Sequence, residues 1–209
     1  MWPSKKTITQ KLITKATLML SLLLLHSITQ ADTLFSAQHI DLWDYDCNGC
    51  RIEAQFDVKE GEIVHLKSRN ELVLYREFDV KKQETLPTEL NWQWSVETFV
   101  DPGVLARVTL YIAGTEEWPS RVLHYLWDAG RSDEVHEVIS DFEHVLVVTG
   151  IDAKAEQWQI VNRDLLADWQ RLYGGQDPIM PAIEAMEISL SLPEGKPVTG
   201  VFWTDLIVE

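Results

Sequence analysis

The period of the apolar residues decides what this chain can fold into. In segment after segment, apolar and polar side chains alternate one for one, the spacing of a strand with one buried face. Residues 35–43, 51–58, 62–67 and 71–80 follow this pattern, separated by turn residues such as Glu60-Gly61 and Arg69-Asn70. Residues 91–98, 104–113, 121–127, 142–149 and 157–161 continue it, and 182–192 and 198–208 close it. About ten short strands at this spacing predict an all-β sandwich. One segment breaks the rule. In 162–173, Leu165, Leu166, Trp169, Leu172 and Tyr173 fall on one stripe of a helix. Asn162 is placed to cap its start, and Gly174-Gly175, Asp177-Pro178 and Pro181 to stop it.

The first 31 residues obey neither period. Lys5, Lys6, Lys11 and Lys15 precede an apolar run at 16–25, and a polar stretch leads to Ala31. This is the layout of a secretory signal peptide, with cleavage expected after Ala31. The run is too short to span a bilayer, which takes about 20 residues. The expectation is therefore a signal peptide at 1–31 and a single sandwich domain at 32–209, soluble and periplasmic or secreted, with no membrane insertion after cleavage. Four of the 18 basic side chains and none of the 33 acidic ones precede Asp32, so the remaining 178 residues carry 14 against 33, a net charge of −19. A surface this acidic repels phosphate backbones and anionic headgroups, which excludes nucleic acid as a partner.

Cys47 and Cys50 are the only cysteines, in the order Cys-Asn-Gly-Cys. A redox dithiol wants a helix after the pair to lower the thiol pKa. Here residues 51–58 alternate like a strand, and Asp44 and Asp46 precede the pair. Asn-Gly is a favoured hairpin turn, so the expectation is a hairpin whose turn is closed by a structural disulfide. Zinc would need two more ligands, and no second pair supplies them. Asp41, Asp44 and Asp46 are spaced like oxygen ligands for calcium, but lack the glycine and glutamate spacing of an EF-hand. No cofactor is expected.

The middle strands carry a resemblance. Asn91-Trp-Gln-Trp-Ser-Val96, Ala106-Arg-Val-Thr-Leu-Tyr111 and Val122-Leu-His-Tyr-Leu-Trp127 occur in that order, followed by Trp158, Asn162-Arg163, Asp168 and Asp205-Leu-Ile. From about residue 66 to 209 the chain resembles the domain-of-unknown-function family 3047, a group of exported bacterial proteins. The resemblance implies a jelly-roll sandwich similar to galactose-binding-like and carbohydrate-binding modules, with no established activity. It departs from the family where Gly103-Val104-Leu105 and Ser189-Leu190-Ser191-Leu192 replace acidic stretches.

Alternation also assigns faces. Val108, Leu110 and Ile112 share one face of their strand, leaving Arg107, Thr109 and Tyr111 on the other. A guanidinium, a hydroxyl and an aromatic ring together suit a ligand groove, because rings stack on sugar C–H surfaces while polar groups orient hydroxyls. Tyr125 and Trp127, with Asp128 at the strand end, and Trp92 with Trp94 are the other candidates for that groove; the sandwich core is the competing place for these rings. Arg163 and Asp168 are expected to pair structurally, and His65, His124, His136 and His144 to lie in solvent. No G-x-S-x-G, S-x-x-K, H-E-x-x-H or P-loop pattern supports catalysis. The leading expectation is an exported, non-catalytic binding module for a glycan or similar polar ligand. The alternatives are an envelope-polysaccharide enzyme using groove carboxylates and a structural or interaction protein of the envelope.

Overall fold

In the computed structural model, the described residues are 32–47, 49–68, 71–82, 88–98, 103–114, 116, 119–174, 180–191 and 200–208. They form two seven-stranded sheets, with the alternation turning one face of each inward. The first sheet holds β1 (Asp32–Phe35), β3 (Arg51–Asp57), β4 (Gly61–Lys67), β6 (Glu89–Val96), β11 (Gln159–Asp164), β13 (Gly200–Trp203) and β14 (Leu206–Val208). The second runs β2-β5-β12-β7-β8-β10-β9, where β2 is Asp44–Cys47, β5 Leu72–Glu77, β12 Ile183–Leu190, β7 Val104–Ile112, β8 Arg121–Asp128, β10 Glu143–Thr149 and β9 His136–Ser140. All of these strands lie in the unit 31–209. Among the described residues no helix is long and apolar enough to cross a membrane. The signal-peptide expectation for 1–31, with Ala31, lies outside the described residues, as do Asn48 and the helix-stop residues Gly175, Asp177 and Pro178.

Between the sheets lies one apolar cluster. It takes Trp92 and Trp94 from β6, Leu110 from β7, Tyr125 and Trp127 from β8, Ile188 from β12 and Trp203 from β13. Trp94 sits at its centre, with ring centroids 5.3 Å from Trp92, 5.5 Å from Trp127 and 4.9 Å from Trp203. The indole N–H of Trp94 donates to the Thr149 hydroxyl at 2.8 Å, which satisfies a donor that burial would otherwise leave costly.

Several local expectations are corrected. Residues 35–43 are not one strand: β1 ends at Phe35 and the chain turns through a short 3-10 segment, Ile40–Leu42. The Ser36 hydroxyl meets His39 Nδ1 at 3.0 Å and the His39 N–H donates to the Ser36 carbonyl, so local bonds take the backbone out of the ladder. The described part of the expected strand 198–208, residues 200–208, makes two strands, because the Thr204 hydroxyl accepts the Gln93 N–H at 2.9 Å where a backbone carbonyl would continue the ladder. The Cys47–Cys50 disulfide forms, but it does not close a hairpin. β2 pairs with β5 and β3 with β4, so the bond staples a corner where the chain passes from one sheet to the other. Gly49, at φ +75°, supplies the left-handed backbone that the corner needs.

The helix, α1, spans Leu165–Leu172 and starts later than expected. Its cap is Asp164, whose carboxylate accepts the Ala167 N–H at 2.7 Å; Asn162 instead pairs with Asn91 in the ladder. Leu165, Trp169 and Tyr173 are buried, whereas Leu166 is exposed. Arg163 and Asp168 do pair, through bonds of 3.0 and 2.7 Å, and Asp168 also accepts the Tyr125 hydroxyl at 2.9 Å.

Candidate functional site

The register of the second sheet builds a polar face on the side away from the core. Directly paired residues share a face, so the row Asp44, Tyr75, Glu187, Thr109, His124 runs across β2, β5, β12, β7 and β8. A second row sets Asp46, Val73, Ser189, Arg107 and Leu126 side by side across the same five strands. A third joins Tyr111 and Val122 to Glu143 of β10. Each strand contributes because its odd-numbered or even-numbered residues alone face outward, while Leu74, Ile188, Val108 and Tyr125 fill the core from the same strands.

The face is wired by hydrogen bonds. Arg107 Nη2 donates to Glu187 at 2.8 Å and its Nε to the Ser189 hydroxyl at 3.1 Å. The Tyr111 hydroxyl donates to the other oxygen of Glu187 at 3.1 Å. His124 bridges Thr109, at 2.9 Å, and Glu143, at 3.0 Å. A carboxylate accepts only, so His124 Nε2 carries the proton and Nδ1 receives the Thr109 hydroxyl. Burial pushes the His124 pKa below its usual value, although the Glu143 bond opposes this, and the ring is neutral at pH 7. Burial, with Glu187 close by, pushes the Tyr111 hydroxyl up to about 12, so it stays a donor. The Tyr75 ring stands edge-on to Tyr111 at 6.1 Å. Thr109 and Ser189 are buried floor, and Arg107, Tyr75, Tyr111 and His124 are partly exposed above it.

The candidates from sequence divide sharply. Arg107, Thr109 and Tyr111 come together on this face. Trp92, Trp94, Tyr125 and Trp127 do not: all are 2% exposed or less and pack between the sheets, where no ligand reaches them. Two alternating aromatic strands facing each other fill a sandwich interior, and that burial outweighs their use as a platform. Asp128 is also removed from the groove. One of its oxygens accepts the Gly130 N–H and the other pairs with Arg131, closing the turn after β8. His65 and His144 are buried rather than solvated, and His136 meets His144 at 2.8 Å across β9 and β10. His136 stands on β9, a strand outside the alternating segments read from sequence. Asp44 and Asp46 stand on the rim of the polar face and Asp41 on the preceding turn; among the described residues no three such side chains converge as a metal cage.

Sequence reasoning missed Tyr75, Glu187 and Glu143. The alternation of Leu72 and Leu74 against Val73, Tyr75 and Glu77 carried a signal for Tyr75. No single-strand pattern could set Glu187 between Arg107 and Tyr111, because that depends on register. The first sheet carries a concavity of its own, about 410 Å³ in volume, beside Gln38, Glu60, Glu62, Gln93 and Asp205, away from the polar face of the second sheet. Its amides are already spent, Gln38 on Glu62 at 3.0 Å and Gln93 on Glu60 at 3.1 Å.

Two seven-stranded sheets packed about one apolar cluster make a β-sandwich of jelly-roll type. No family model matches the chain, and no curated protein matches it. The resemblance to family 3047 therefore rests on its motifs. Solved structures similar to it include carbohydrate-binding modules. The C-terminal family 22 carbohydrate-binding module of Clostridium thermocellum Xyn10B is 9% identical with a TM-score of 0.44, covering 84% of this chain and 92% of that one. The xyloglucanase domain of NopAA from Sinorhizobium fredii is 9% identical at a TM-score of 0.46, covering 80% and 92%. A β-1,2-glucanase from Parabacteroides distasonis, 9% identical at 0.44, matches 79% of this chain but only 22% of its own. Likeness at this level says nothing about which ligand this chain takes.

Proposed function

We propose that this protein is an exported binding module whose outer face on the second sheet takes a glycan or similar polar, hydroxyl-rich ligand without turning it over. One observation carries the reading. Three cross-strand rows gather Tyr75, Arg107, Tyr111, His124, Glu143 and Glu187 on a face the core does not use. Fixed donors and acceptors beside aromatic rings are what a polyhydroxylated ligand needs: rings for its C–H faces and pre-oriented polar groups for its hydroxyls. Glu187 and Glu143 are each held by hydrogen bonds, which suits orientation more than proton transfer. The Cys47–Cys50 bond supports export, since such bonds persist in oxidising compartments. Membership of family 3047 is part of the same proposal.

Calorimetric titration against a panel of neutral oligosaccharides tests it. Tyr111→Ala should weaken binding at least about tenfold while leaving the fold cooperative, because a ring at the centre of a contact dominates its energy. Binding that is indifferent to Tyr111 and Arg107, or product in the cell after incubation, would overturn the reading.

A further inference from the structure

The sign of the charge on this face narrows the ligand further, on the understanding that the face is the binding platform proposed above. Register and alternation place five carboxylates on it: Asp44 and Asp46 from β2, Glu77 from β5, Glu187 from β12 and Glu143 from β10. Arg107 is the one guanidinium in the rows, and Glu187 neutralises it at 2.8 Å. His124 is no counter-charge to Glu143, because the ring is neutral. Among the described residues no ion pair engages Asp44, Asp46 or Glu77. The platform is thus a set of rings and hydrogen-bonding groups inside a field of one sign.

We infer that the platform selects by charge: it takes glycans with free amino groups in preference to neutral ones and rejects those bearing carboxylate, phosphate or sulfate. A sugar carboxylate laid on these rows would find no free cation and several carboxylates within a screening length, about 8 Å at physiological salt. An ammonium in the same place would stand between aromatic faces and uncompensated carboxylates, where ring and charge attract it together. Discrimination of this kind rests on the repelled ligand as well as on the attracted one.

The test is calorimetry on the exported protein with three oligomers of equal length: a glucosamine oligomer, a neutral β-glucan oligomer and an oligogalacturonate. The glucosamine oligomer should bind about tenfold tighter than the neutral one at low salt, a gap that closes as salt screens the face. The galacturonate should not bind measurably. Glu143→Gln and Glu77→Gln should each remove part of the amino-sugar preference. Tyr111→Ala must also abolish glucosamine binding, because binding that survives it is adsorption to the net charge and overturns the inference. Equal affinity for all three oligomers, or tightest binding of galacturonate, overturns the charge selection and leaves the platform standing. Failure of every oligomer to bind removes the platform and the selection together.

Discussion

Alternate residues of the same two strands do opposite work. On the inner side of β7 and β8, Leu110, Tyr125 and Trp127 are held by packing; on the outer side, the partly exposed Arg107, Tyr111 and His124 are held by hydrogen bonds. Inner residues touch neighbours on all sides, so each loses much free energy when truncated. Outer residues make bonds that water can replace, so each contributes little to stability and is free to serve a ligand. Tyr125 shows where the two logics meet: its ring is core, yet its hydroxyl is tied to Asp168, itself buried and clamped by Arg163.

Truncation experiments can break or sharpen this contrast. The largest effect should come from the inner face: Trp127→Ala is expected to cost about 3–5 kcal/mol in urea unfolding, through lost burial and the cavity left behind. Asp168→Ala should follow at about 2–3 kcal/mol, since it leaves the buried Tyr125 hydroxyl without its acceptor and takes from Arg163 one of its two carboxylate partners, Glu134 being the other. Reducing the Cys47–Cys50 corner should cost about 2 kcal/mol, the loop-closure value for so short a ring, without changing the strand content seen by circular dichroism. On the outer face, Tyr111→Phe should cost about 1 kcal/mol or less, the worth of one partly exposed hydrogen bond. A loss of 3 kcal/mol there would erase the contrast.

Acid should act through a small set of histidines. Burial depresses the pKa of His65, His124 and His144 in the fold, with His136 adding to the depression at His144. The unfolded chain therefore binds more protons than the native one just below the usual histidine value, about 6.5, and stability rises with pH there. Stability carried by these groups is complete above that pH and declines as the pH falls towards their lower native values. Urea midpoints measured between pH 7.5 and 5 should fall, and His144→Gln should flatten the decline. An unchanged midpoint across that range would show that these rings are solvated.

Much of the architecture was legible because alternation is a local property. Residues 51–58, 62–67, 104–113 and 121–127 carry their face assignments within a few neighbours, and each became a strand within a residue or two. What depended on partners was hidden. The break at Thr204 follows from Gln93, far away in sequence, and the corner at Cys47 follows from which sheet β2 joins. The tryptophans stayed open between core and groove for a related reason: a ring on an apolar face looks the same whether the opposite sheet covers it or leaves it open. Arg107 and Tyr111 were found, but Glu187, which holds both, was visible only through register.

The pairing of β1 with β14 has a consequence for the life of the chain before it is folded. Asp32 lies opposite Val208, so the strand made first among those described can bond only to the strand made last. The ribosome delivers them in that order, so the β1–β14 ladder is a pairing of long sequence separation that must wait until both strands are present. Until then β1 has no partner strand, and an unpaired strand edge is a template for association with other chains.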